Sequence, residues 1–257
     1  VAAHRRNEGY ALYALWLREF KVFQREKSRV IGSIASPLVF LFTLGFGFGA
    51  TTTFMDPRYA AFPYPQFMFP GVIGMSVLFG TIFYGMGIIW DRRLDVLKEV
   101  LVAPVSRTTI FFGKVLGGCT EAVAQGILLI VLSMLIFHTG LAGALVALPF
   151  VLLLAILFVS IGLFIGSFFT SYEGFNLVMS FLTFPAVFLS GAFYPVEQLP
   201  KALAVLVRFN PATYAVDGLR GALLGPHAFS YALDVAVLAV WCVVFLYAGT
   251  WAFKRMT

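Results

Sequence analysis

The sequence predicts an all-α polytopic membrane protein. Sixty per cent of its 257 residues are hydrophobic and only 12% are charged, against roughly a quarter charged in a soluble domain. Mean hydropathy is +0.92, and the apolar residues fall in continuous runs instead of the alternation of a membrane barrel strand. A water-soluble fold of this composition would have too little polar side chain to cover its surface.

Six runs reach the roughly 20 residues that cross a bilayer, at 30–50, 68–90, 110–137, 144–169, 174–194 and 231–253. The third and fourth exceed that minimum, which implies tilt or extension into the cytoplasm. The whole chain, 1–257, reads as a single transmembrane domain. Residues 1–29 precede the first span as a cytoplasmic interfacial segment. Over 10–29 it places Tyr13, Trp16, Leu17, Phe20 and Phe23 on one helical face and Arg18, Lys21, Arg25 and Arg29 on another. Aromatic rings favour the headgroup level and the basic side chains reach phosphates, so this helix reads as an anchor.

The loop 91–107 carries Leu94, Leu97 and Leu101 at i, i+3 and i+7, facing away from Arg92, Arg93 and Lys98. That pattern predicts a short cytoplasmic helix, stopped at Pro104, with Ser106 capping the third span. Between the fifth and sixth spans, Pro195, Pro200 and Pro211 divide the segment 191–225. Its apolar part from Leu199 to Phe209 reaches only about 17 Å as a helix, too short to cross. A pair of short external helices dipping back into the outer leaflet satisfies both its apolarity and its punctuation. Asp217 and Arg220, at i and i+3, are spaced for a local salt bridge.

Basic residues orient the spans. Arg5, Arg6, Arg18, Lys21, Arg25, Lys27, Arg29, Arg92, Arg93, Lys98, Arg107, Lys114, Lys254 and Arg255 fall on one side, and Arg58, Lys201, Arg208 and Arg220 on the other. Both termini are therefore expected in the cytoplasm. The net charge of +6 follows from this topology and from contact with anionic lipid. It does not read as a nucleic-acid surface, because the basic residues flank spans instead of lining one soluble face. Cys119 and Cys242 lie far apart inside apolar spans and read as small buried residues. His4, His138 and His227 are scattered and form no metal-ligand spacing. A cleavable signal peptide is not expected, since the first apolar run begins near residue 30 and is too long for an h-region.

Small residues recur at Gly45, Gly47 and Gly49, at Gly113-x-x-x-Gly117 and at Gly162-x-x-x-Gly166, a spacing that lets helix backbones approach within one subunit. Pro37, Pro70 and Pro185 are placed to kink their helices or lie near the ends of them. Glu121, a few residues inside the third span, admits two readings. It is a proton-relay or cationic-substrate group, or it is a packing position paired with Lys114 two turns earlier.

Two blocks carry a family resemblance. The first comprises Gly191-Ala192-Phe193-Tyr194-Pro195, Leu199-Pro200, Asn210-Pro211-Ala212-Thr213-Tyr214 and Asp217-Gly218-Leu219-Arg220; the second is Glu99-Val100-Leu101-Val102-Ala103-Pro104-Val105-Ser106-Arg107 followed by Gly113-Lys114. In this order they resemble the permease subunits of ABC type-2 exporters, a family of bacterial drug, nodulation-factor and surface-glycan exporters. The resemblance implies a multi-pass protein of the bacterial cytoplasmic (inner) membrane. It implies an ATPase-coupling region at Arg92, Arg93, Leu94, Leu97, Glu99, Leu101, Pro104 and Arg107. It also implies an external gate at Tyr194, Pro195, Pro200, Asn210, Pro211, Tyr214, Asp217 and Arg220. The aromatic residues of the first two spans, with Phe40, Phe83 and Tyr84 foremost, and Glu121 are candidates for lining a translocation path.

No G-x-x-x-x-G-K-[ST] loop is present, and Gly113-Lys114 lacks both the earlier glycine and the following Ser or Thr. On the ABC reading the chain holds no cofactor, and ATP and Mg belong to a separate ATPase subunit, expected in two copies. A second permease, as a homodimer, completes the membrane part. The alternative is a secondary transporter or channel driven by an ion gradient, which calls for buried charges near the bilayer centre and an internal repeat. Neither stands out. A membrane enzyme is disfavoured, since no HExxH, GxSxG or paired-carboxylate cluster appears.

Overall fold

The structure is a computed structural model and describes residues 2–25, 27–47, 57–93 and 105–256. All regular structure among the described residues is helical. The helices are α1 (Ala2–Arg25), α2 (Lys27–Phe40), α3 (Tyr64–Arg93), α4 (Arg107–Phe137), α5 (Leu141–Phe168), α6 (Tyr172–Phe188), α7 (Lys201–Phe209), α8 (Pro211–Leu224) and α9 (Tyr231–Arg255). Four of these, α3, α4, α5 and α9, are long and apolar enough to cross a membrane.

The fifth of the six expected spans is shorter, and the first is described as a continuous helical segment as far as Gly47. Pro37 lies inside α2, which passes directly into a π turn at Leu41–Phe46. The hydroxyl of Thr43 donates to the Val39 carbonyl at 2.7 Å in this turn. The fifth span was expected over 174–194, but its helix α6 ends at Phe188 after 17 residues, about 25 Å of rise. Ser190 terminates it by donating to the Val187 carbonyl at 2.6 Å and accepting from the Ala192 amide at 3.2 Å. Gly191 follows with φ of 75°, and a Cβ there would stand 2.4 Å from Val196 Cγ1, so the turn requires glycine. Phe193, Tyr194 and Pro195 therefore belong to a turn and not to the span.

Helix α5 is the axis of the fold, packed against α3, α4, α8 and α9. Its ridge of small residues admits α3 closely. A Cβ on Gly85 would stand 2.6 Å from the Gly162 carbonyl carbon, and one on Gly166 would stand 2.8 Å from the Gly85 carbonyl oxygen. The expected Gly162-x-x-x-Gly166 packing motif is thus an α3–α5 contact inside one subunit. Gly113-x-x-x-Gly117 serves α1 in the same way, since Cβ atoms there would meet Leu15 Cβ at 2.7 Å and Glu19 Cβ at 2.5 Å. The α1 helix is accordingly docked on α4, and Trp16 Nε1 donates to Thr120 Oγ1 at 2.9 Å. Cys119 and Cys242 are buried free thiols, the latter 3.3 Å from the Leu153 carbonyl.

Candidate functional site

Helices α3, α4, α5 and α9 turn their charged and capped ends toward one face, called proximal here, where α1 also docks. At this face Lys114 Nζ lies 2.5 Å from Asp91 Oδ2 and 3.5 Å from Glu19 Oε1. Asp91 also receives Arg18 Nη2 at 3.1 Å, and Arg18 Nη1 lies 3.4 Å from Glu19. Two cations and two carboxylates thereby lock α1 to both α3 and α4. Burial works against the charge of Arg18, but Asp91 and Glu19 outweigh it and hold the guanidinium above its usual range. The expected pairing of Lys114 with Glu121 does not form, because the ammonium, with its side chain only 6% exposed, is drawn to this cluster instead.

Two of the expected coupling arginines point into the bundle. Arg92 donates to the carbonyls of Phe169 and Ser167, at 3.0 and 3.1 Å, and so closes the C-terminal end of α5. Arg107 donates to the carbonyls of Lys254, at 2.9 Å, and Met256, closing the end of α9. Helix ends leave carbonyls without intrahelical partners and carry partial negative charge, which a guanidinium satisfies on both counts. Arg93 stays exposed. Leu94, Leu97, Glu99, Leu101 and Pro104 lie outside the described residues. Ser106 caps α4 as expected, its Oγ accepting from the Thr109 amide at 3.1 Å.

The opposite, distal face is built around α8. Asn210 caps this helix by accepting from the Ala212 amide at 3.1 Å, with Pro211 in its first turn. The same side chain donates to the Ala186 carbonyl of α6 at 2.8 Å. Thr213 Oγ1 lies 2.9 Å from the Val207 carbonyl and 3.1 Å from that of Leu189, and Tyr214 donates to the Arg208 carbonyl at 2.8 Å. Tyr194 donates to the Phe188 carbonyl at 2.5 Å, while Pro195 and Pro200 precede the short 3-10 turn Val196–Gln198 and α7. Two helices of 9 and 14 residues, α7 and α8, occupy this segment, and α8 is buried along nearly its whole length.

Asp217 and Arg220 do not form the expected salt bridge. The Asp217 carboxylate accepts the amides of Ala228 and Phe229, each at 2.8 Å, and pins the α8–α9 loop. Arg220, 1% exposed, donates to the Gly191 carbonyl at 2.6 Å and stacks 4.0 Å from the Phe67 ring centroid. Tyr59, packed edge-on against Phe67 at 4.9 Å, lies 6.0 Å from the same guanidinium, and burial pushes its phenol up to about 12 against the opposing pull of Arg220. One arginine thus ties α8 to the turn after α6 and to the start of α3. Neither Gly191 nor Phe67 carries a sequence signal for this role beyond the glycine itself.

Of the expected path residues, Tyr84 and Glu121 are buried and Phe40 is half-buried against the core; the side chain of Phe83 is not among those described. Glu121 shares a face of α4 with Gly117 and Gln125. Cβ atoms on Gly117 and Gly80 would lie 2.5 Å from Tyr84 Oη and Gln125 Oε1, so this face is the α3–α4 seam. Phe42 and Phe46 are exposed on the π turn that follows α2.

Comparison with known proteins agrees with this architecture. Residues 10–224 match the ABC-2 type transporter domain. The chain is 30% identical over 242 residues to the inner membrane transport permease YadH of Escherichia coli K12, covering 91% of both chains. It is 27% identical over 247 residues to nodulation protein J of Rhizobium leguminosarum bv. viciae, covering 94% of this chain and 93% of that one. A family domain extending from the α1 helix to the end of α8 takes in both the arginine-closed proximal face and the distal helix pair, and the chain belongs to the ABC-2 type transporter family.

Proposed function

We propose that this chain is the permease subunit of an ATP-driven exporter. It moves an amphipathic or lipid-linked compound, a drug, lipid or glycan carrier, outward across the bacterial cytoplasmic membrane. Both termini and the proximal face lie in the cytoplasm, and the α7–α8 pair lies on the external side. ATP and Mg are handled by two copies of a separate ATPase, and two permeases form the membrane part as a homodimer.

The observation that carries this reading is the placement of Arg92 and Arg107. They bracket residues 94–104, the segment expected to meet the ATPase, and each holds the end of a further helix. A push on that segment reaches α3 and α4 through the chain and α5 and α9 through the guanidinium groups. The Asp91 cluster extends the same linkage to α1. These arginines then transmit movement, while Leu94, Leu97, Glu99 and Leu101 supply the contact with the ATPase. At the external end, α8 yields only if Arg220 and Asp217 change partners, which makes it the gate.

The test is mass spectrometry of a tagged copy purified in mild detergent from its host, with and without L97A and E99A. Recovery of an ATPase in equal amount, weakened by the substitutions, supports the reading. Recovery of the well-folded chain alone sinks it and favours transport driven by an ion gradient.

A further inference from the structure

A recess of about 270 Å³ opens on the distal face between the 3-10 turn Val196–Gln198, α7 and the α8–α9 loop. That is just under the roughly 300–1,000 Å³ of sites for drug-sized molecules, so its occupant is small. Val196, Val207 and the ring of Phe229 give it apolar walls. Each wall is held from behind. The carbonyls of Val207 and Arg208 accept the hydroxyls of Thr213 and Tyr214, and the amides of Ala228 and Phe229 are bound by Asp217. Val196 packs against Gly191, whose carbonyl Arg220 holds. A recess with walls fixed in this way loses little freedom when it is filled.

Two charged side chains also line the recess, and they are not equivalent. Glu197 is already paired with Arg58 at 2.8 Å. Arg208 is exposed, and among the described residues no hydrogen bond or ion pair engages its guanidinium. Since the amides of Ala228 and Phe229 are spent on Asp217, Arg208 supplies the donors open to an occupant. A guanidinium fork beside an apolar wall matches a carboxylate on a hydrocarbon body. Glu197 in the same lining penalises a second negative charge.

We propose that this recess binds a small organic monoanion, with its carboxylate on Arg208 and its hydrocarbon body against Val196, Val207 and Phe229. The occupant bridges the 3-10 turn, α7 and the α8–α9 loop, and so favours the arrangement in which the three stand together. The site does not depend on how transport is powered.

The probe is benzoate, read by fluorine NMR of the full-length chain in lipid nanodiscs with para-fluorophenylalanine in place of Phe229. Folding is checked by circular dichroism and size exclusion. Benzoate is expected to shift the resonance saturably, whereas benzyl alcohol, its uncharged counterpart, and sulfate, a charge without a body, should not. R208Q should weaken the binding about tenfold or more, the worth of a hydrogen bond to a charged group, and R208K should restore part of it. K201Q, on the same helix but outside the recess, should leave it unchanged. In the unlabelled chain, benzoate should raise the unfolding temperature of the parent and not of R208Q. Absence of a saturable shift overturns the proposal, as does a shift of equal affinity in folded R208Q. A comparable response to benzyl alcohol overturns it in favour of apolar partition. A stronger response to benzylamine, lost in E197Q, overturns it in favour of a cation on Glu197.

Discussion

Asp217 and Arg220 lie one turn apart on the same buried helix and turn away from each other, the carboxylate to the amides of Ala228 and Phe229 and the guanidinium to the carbonyl of Gly191. Each holds a different connection at the distal end. Loss of the carboxylate in D217A takes the acceptor from two part-buried amides, at about 1 kcal/mol each, and D217N retains part of that. One turn apart, the two charges still attract through space without a contact, so D217A and R220A should couple only at the low end for neighbouring residues, about 0.5 kcal/mol. Denaturation by SDS with a tryptophan readout measures this, and a larger coupling would mean that the pair acts as an ion pair after all.

The Lys114–Asp91 contact is expected to behave in the opposite way. Removing only the ammonium in K114M leaves Asp91 and Glu19 short of a cation in a mostly buried cluster, a loss of about 3–5 kcal/mol. Neutralising the carboxylate as well, in D91N/K114M, should recover part of it, with about 0.5–3 kcal/mol of coupling. Strict additivity in the same unfolding assay would show the contact to be incidental.

How much of this was legible in the sequence depends on the range of the signal. Local chemistry was: Ser106 caps as expected, Pro200 and Pro211 open the short helices, and Gly113, Gly117, Gly162 and Gly166 mark close helix contacts. The family was legible from the motifs at 99–114 and 190–221. Partner choice was not. Lys114 prefers Asp91, 23 residues away, over Glu121 on its own helix, and Arg220 prefers a carbonyl 29 residues away over Asp217. Helical spacing proposes pairs along one helix, whereas a buried charge goes to whichever group the tertiary fold brings within reach. The fifth span was drawn too long for a related reason, since apolar Phe193 and Tyr194 continue the run after Gly191 has already turned the chain.

Glycine substitutions separate close approach from mere small size. In G85A the new methyl group would meet the Gly162 backbone, which cannot swing aside, so a loss of about 1–3 kcal/mol or more is expected. G87A, two residues on with nothing within 4 Å, should be neutral or slightly stabilising. Equal melting of the two variants would refute the tight α3–α5 seam.

The arginine clamps predict an uncoupling phenotype. R92Q and R107Q weaken the hold on the ends of α5 and α9 while leaving the sequence of 94–104 unaltered. On the proposed function, in vesicles holding the chain with the proposed ATPase, nucleotide hydrolysis is expected to stay within about twofold while export falls about tenfold, the effect of some 1.4 kcal/mol lost from transmission. Parallel loss of hydrolysis and export would assign the arginines to ATPase docking.

Asp234 provides the sharpest separation of stability from function. It is 0% exposed in the first turn of α9, and among the described residues neither carboxylate oxygen has a hydrogen-bond partner. A buried polar group without a partner opposes folding, so an apolar replacement of similar shape should help. D234L is expected to raise the SDS midpoint by the equivalent of about 1–3 kcal/mol, with D234N intermediate. If export is unchanged in D234L, the carboxyl is a tolerated defect of packing. If export falls while stability rises, the chain retains Asp234 against its own stability, and the group acts on what passes the distal end.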